Sequence, residues 1–96
     1  MPYGFVTDVP ATEEMYRNVR AQLGDQTPAG LVLHLVVKRD DGLRYIDVWD
    51  TEADWQRYRD EQVLPAVGQM LGEFGITPTA PPPAPQPFEV VDVWVG

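Results

Sequence analysis

One histidine, three tryptophans and four tyrosines carry most of the chemistry open to this 96-residue chain. There is no cysteine, which removes disulfides, thiolate nucleophiles and thiolate metal sites. His34 lies in the apolar run 31–37, and Asp47 lies in the next β-forming run, 43–50. An imidazole beside a carboxylate on an apolar surface is what a general base requires, because the carboxylate orients the ring and stabilises its charged form. Tyr58 or Tyr16 can donate a hydrogen bond to a developing enolate or phenolate. Trp49, Tyr45, Trp55 and Trp94, with Tyr3, are aromatic walls for a planar ligand. The candidate catalytic residues are therefore His34, Asp47 and Tyr58, and the candidate substrate-binding residues are Trp49, Tyr45, Trp55 and Trp94. The His34–Asp47 pair also reads as a satisfied polar contact at a subunit interface, and Trp55 with Tyr58 also reads as core at helical spacing. On the sequence both pairs of readings stay open. Metal binding has little support, since one histidine leaves only carboxylates, and Asp40-Asp41 sits where turns favour acids. Glycine-rich phosphate loops and Ser-His-Asp spacing are absent, and no cofactor is expected.

The elements that must position these residues follow from periodicity. Residues 3–9 are rich in β-formers and end at Pro10. Residues 11–23 form a helix with Thr12 as N-cap, Glu13 and Glu14 in the first turn, and Met15, Tyr16, Val19 and Leu23 on one face. Gly24 stops it. Residues 31–38 and 43–50 are two strands of a hairpin turning through Asp41-Gly42. Thr51 caps a second helix with Asp54 three residues on, and Pro65 inside it predicts a kink or a break. Residues 77–87 hold six of the ten prolines and form a stiff extended connector to a last strand, 88–95. The order βαββαβ predicts a single ferredoxin-like α+β domain over 1–96. Its antiparallel four-stranded sheet has spatial order fourth, first, third, second, with two helices on one face.

That architecture leaves one sheet face without helices. The second strand is apolar on both sides and lies at an edge, where a lone subunit would invite aggregation. A second copy packed sheet to sheet covers it, so the expected partner is a homodimer. A two-residue turn at Asp41-Gly42 pairs His34 with Trp49 and Val36 with Asp47. This puts His34, Tyr45, Asp47 and Trp49 on one face and Leu31, Leu33, Leu35, Ile46 and Val48 on the other, the second set suiting helix packing.

The stretch Gly42-Leu-Arg-Tyr-Ile-Asp-Val-Trp-Asp-Thr-Glu-Ala-Asp-Trp-Gln-Arg-Tyr58 resembles the third-strand and second-helix signature of the dimeric α+β barrel superfamily. It is similar, more narrowly, to the antibiotic biosynthesis monooxygenase-like proteins. The Asp47-Val-Trp-Asp-Thr51 corner and Leu64-Pro-Ala66 resemble a small actinobacterial branch. The resemblance implies a dimeric α+β barrel and a cofactor-free oxygenase or cyclase acting on an aromatic or polyketide-like small molecule. The alternative is a non-catalytic small-ligand-binding or structural homodimer. Active members often use a His or Trp on the second helix, where this chain has Tyr58. Haem-degrading members add a histidine near the position of Gly68, so the departure speaks against haem degradation.

The net charge of −8 and sequence pI of about 4.3 repel nucleic acid and anionic lipid. The first ten residues lack a basic region followed by an apolar run, and no apolar stretch is long enough to span a bilayer. The expectation is a cytoplasmic protein whose partners are its own copy and a small aromatic ligand, with no nucleic acid and no membrane.

Overall fold

The computed structural model describes residues 2–79, 81 and 83–95. Met1, Ala80, Pro82 and Gly96 lie outside the described residues, and Ala80 and Pro82 belong to the expected proline-rich connector. The elements are β1 (Tyr3–Val9), α1 (Glu13–Leu23), β2 (Leu31–Arg39), β3 (Gly42–Trp49), α2 (Glu52–Tyr58), a π-helical segment (Arg59–Val63), α3 (Leu64–Glu73) and β4 (Gln86–Phe88). The strands form an antiparallel sheet in the order β2-β3-β1-β4. This is the ferredoxin-like α+β fold that the element order predicts, with β2 at an edge.

Local chemistry fixes the boundaries. The Thr12 hydroxyl accepts from the Met15 N–H at 3.2 Å and starts α1, and Gly24 at φ 81° ends it. Thr51 accepts from the Asp54 N–H at 3.1 Å and donates its hydroxyl to the Asp54 carboxylate at 3.0 Å, starting α2. The expected break at Pro65 takes the form of a π turn. The Leu64 N–H reaches back five residues to the Arg59 carbonyl, and Pro65, which has no N–H, enters α3 in its first turn. The helical stretch therefore changes pitch without ending.

The hairpin departs from its predicted register. Arg39 pairs with Gly42, so Asp40-Asp41 is the two-residue turn, and His34 lies opposite Asp47 instead of Trp49. The slip is two residues, an even number, so His34, Tyr45, Asp47 and Trp49 still share a face. A bulge between Leu31 and Leu33 places Leu31 opposite Trp49 and removes it from the alternation of Leu33 and Leu35.

The assignment of faces is reversed. The helices cover the side of His34, Asp47 and Trp49: the Trp49 ring packs against Trp55 and Tyr58 at 5.6 and 5.5 Å, and Phe5 against Trp55 at 4.9 Å. Phe5, Leu43, Trp49, Ala66 and Met70 form the core between sheet and helices. The aliphatic side carries no helix, and on its β2 edge Leu33, Leu35 and Val37 are exposed, whereas Val48 on β3 is buried. Aliphatic content alone favours helix packing on the opposite side, but the helices themselves bring aromatic rings, and these pack on the aromatic side.

The last strand is also shorter than predicted and starts earlier. Phe88 pairs with Gly4, Pro87 with Phe5 and Gln86 with Val6. Beyond Phe88 the register runs off the start of β1 toward Pro2, which has no N–H to offer. Residues 89–95 consequently leave the sheet. Among the described residues no helix is long and apolar enough to cross a membrane.

Candidate functional site

The site is built on adjacent strands and one helix. His34 on β2 and Asp47 on β3 are direct cross-strand partners, close enough for side chains to meet. The His34 Nδ1 lies 2.7 Å from Asp47 Oδ1. The Trp49 indole N–H, two residues along the same strand, donates to Asp47 Oδ2 at 3.1 Å. Each carboxylate oxygen thus meets one nitrogen, which a carboxylate only 4% exposed requires. From α1, the Tyr16 hydroxyl lies 3.0 Å from His34 Nε2.

One proton arrangement satisfies the chain. Asp47 can only accept from Nδ1–H, so neutral His34 carries its proton on Nδ1. Nε2 is then an acceptor, and the Tyr16 hydroxyl donates to it. The ring is held in the tautomer that leaves Nε2 as the basic atom. Tyr45 stands beside it, its ring 6.0 Å from the imidazole and edge-on, and 5.7 Å from Tyr16. Burial pushes the Tyr45 phenol up to about 12, with the neighbouring Tyr16 and Asp47 adding to the effect. Burial also raises the Tyr16 phenol, so both hydroxyls keep their protons at neutral pH.

A cleft of about 330 Å³ opens between α1 and the free edge of β2, lined by Tyr16, Arg17, His34, Val36, Lys38 and Leu43. At its mouth Glu13 pairs with both Lys38 at 3.2 Å and Arg17 at 3.5 Å. The Lys38 ammonium, more than the Arg17 guanidinium, holds the Glu13 carboxyl below its usual range. The His34 side chain is 30% exposed, so a small molecule can reach it from this side.

The structure joins His34, Asp47, Tyr45 and Trp49 of the sequence-predicted residues. Trp55 and Tyr58 lie in the helix layer, half-buried, with their rings tilted against Trp49. The phenol beside His34 comes from Tyr16, which sequence reasoning weighed beside Tyr58. Its signal was its place on the apolar face of α1, which has to meet the sheet. Trp94 is 94% exposed in the segment after β4 and lies outside the assembled group. Two features had no sequence signal: the indole N–H of Trp49 on Asp47, and the buried Trp55 indole N–H, which has no hydrogen-bond partner.

No protein-family model matches the chain, and no curated protein matches it in sequence. Among solved structures, that of Rv0793 from Mycobacterium tuberculosis is similar, with a TM-score of 0.58 and 15% identity over 97% of this chain and 98% of that one. At that identity the likeness shows the fold.

Proposed function

We propose that the chain is a homodimeric small-molecule enzyme of the antibiotic biosynthesis monooxygenase-like kind, a cofactor-free oxygenase or cyclase in which His34 is the general base. The observation that carries this reading is the oriented imidazole: Asp47 holds Nδ1 at 2.7 Å, and Nε2 faces the cleft beside Tyr16. A phenolic, enolic or doubly activated C–H substrate displaces Tyr16 and gives its proton to Nε2. The bonding pair stays on the substrate as a delocalised anion, and Asp47 stabilises the imidazolium. The freed Tyr16 hydroxyl then donates to the anion's oxygen. From that anion, attack on a carbonyl of the same molecule closes a ring, whereas reaction with dioxygen draws its electrons from the substrate. Planar aromatic or polyketide-like substrates suit a site flanked by Tyr16 and Tyr45.

The dimer is supported by the bare aliphatic face. Leu33, Leu35 and Val37 are 37, 46 and 37% exposed in a row along β2. At one end, Arg44 grips Asp8 through two hydrogen bonds, and Arg39 joins them at 3.7 Å, giving an apolar centre with a polar rim. The chain exposes 6733 Å², against about 5,500 Å² for a compact monomer of this mass.

A second reading, a binding dimer without turnover, is favoured by one detail: Tyr16 already satisfies Nε2. Oxygen uptake and tryptophan quenching with anthrone and hydroxynaphthalenes separate the two. The enzyme reading expects quenching by both wild type and His34→Ala, with consumption of oxygen or cyclised product only in wild type. Equal turnover by wild type and His34→Ala refutes His34 as the base, and quenching without turnover supports the binding dimer.

A further inference from the structure

Residues 89–95 are strand-forming by composition, yet among the described residues they are assigned to no strand and have no ladder partner in their own sheet. Val91, Trp94 and Val95 are 96, 94 and 64% exposed, a large apolar exposure for a segment of seven residues. The register explains why: beyond the Gly4–Phe88 pair only Tyr3 remains of β1, and the position after it is Pro2, which has no N–H to offer. At the opposite edge of the sheet, the nine-residue β2 turns the N–H and C=O groups of alternate residues outward, with no strand beside them among the described residues. The molecule thus carries a strand without a sheet and a sheet edge without a strand.

We infer that residues 89–95 add as a strand to the free β2 edge of a second copy, and that Trp94 thereby closes that copy's His34 cleft. The inference rests on the dimer proposed above and adds a partner-supplied wall to its site. A twofold axis running along the strands between two stacked sheets lays the β4 edge of each copy over the β2 edge of the other. It also preserves strand direction, so the tail, continuing β4, runs antiparallel to the β2 it meets. Seven extended residues reach about 23 Å, and stacked sheets lie about 10 Å apart, so the span is available.

Side-chain alternation then selects the face. Val91, Val93 and Val95 share one side of the segment, and Asp92 and Trp94 the other. Turning the valines toward the aliphatic face of Leu33, Leu35 and Val37 sends Asp92 and Trp94 to the side of His34, Val36 and Lys38. There the cleft mouth holds two cations, Arg17 and Lys38, on the single carboxylate of Glu13. Asp92 supplies the missing negative charge, and the indole covers the imidazole and Tyr16.

Hydrogen exchange read alongside sedimentation tests the proposal without any ligand. The expected result is a dimer in which amides of 32–38 and 90–95 are protected together, at least tenfold over the monomer reached by dilution. Inward N–H groups alternate along a strand, so one of Asp92→Pro and Val93→Pro must delete a ladder bond. That variant is expected to raise the dimer dissociation constant at least tenfold while leaving protection of β1 and β3 intact. A Trp94→Phe difference spectrum is expected to show Trp94 emission moving to the blue on dimerisation. A dimer whose 90–95 amides exchange freely, and which both proline variants leave unchanged, overturns this inference alone. A chain that stays monomeric at high concentration overturns both it and the dimer, and turnover data bear on neither.

Discussion

Asp47 is nearly sealed from water, and its two oxygens decide what His34 and Trp49 can do. One oxygen sets the histidine tautomer and the other takes the indole N–H, so the basic nitrogen is aimed by a residue that never reaches the cleft. The pair was legible as two residues of one face, because adjacent strands with alternating faces put His34 and Asp47 on the same side in any even register, and the observed register sets them opposite each other. The Tyr16 contact was legible only as one of two phenols, because the height of a helix over a sheet depends on packing that periodicity does not encode. Tyr45 gives a test at this scale. Burial pushes its phenol up to about 12, against 10 ordinarily. A group raised on folding keeps its full contribution below its unfolded value and loses it as pH rises through the folded one. Stability is therefore expected to be flat below pH about 9.5 and to fall by about 1–2 kcal/mol between pH about 10 and 12, less than the full 1.4 kcal/mol per tenfold because solvent screens a partly exposed ring. Denaturant melts of wild type and Tyr45→Phe check this, with the variant expected to show a shallower decline.

At the scale of elements, the order and spatial arrangement of the strands could be read from turn residues and crossover handedness. Three features could not. The hairpin turned through Asp40-Asp41 because Gly42 is needed in the ladder: its backbone passes so near the Val9 carbonyl that a side chain there would collide. The face assignment reversed because aliphatic count was used as the guide to burial, whereas Trp55, Tyr58 and Tyr16 match the aromatic side. The last strand was misplaced because its β-forming composition is genuine but its partner positions on β1 are not there. Gly4 shows how tightly the observed β4 docks. A Cβ at that position would overlap the Phe88 ring and Val90. Gly4→Val is expected to cost about 1–3 kcal/mol by overpacking, and to release protection at Gln86–Phe88 before the rest of the sheet. Unfolding melts with site-resolved exchange measure both.

For the whole molecule, the bare aliphatic face and the net charge of −8 act against each other in assembly. Burial of the leucines favours a dimer, and like charge opposes it. Leu35 is 46% exposed in the lone subunit, so Leu35→Glu is expected to change the subunit's own stability by no more than about 0.5 kcal/mol. Placed in a sheet-to-sheet interface, the same change removes about 1.5–3 kcal/mol of burial per side chain and adds repulsion, weakening the dimer at least tenfold. Added salt is expected to tighten the wild-type dimer by screening. Sedimentation equilibrium across salt concentrations reads both effects, and a Leu35→Glu protein that dimerises as wild type does would place the interface elsewhere.

The reactivity proposed for the site depends on His34 holding its proton on Nδ1 and offering Nε2 to the cleft. Because the chain has a single histidine, long-range nitrogen–proton correlation spectra of labelled protein report on this ring alone. In the neutral imidazole the proton is expected at Nδ1, with an unprotonated Nε2 whose resonance moves when an acidic phenol binds, and Asp47→Asn is expected to lose the tautomer preference. A ring protonated at Nε2, or an Nε2 resonance indifferent to every phenol that quenches the tryptophans, would contradict it.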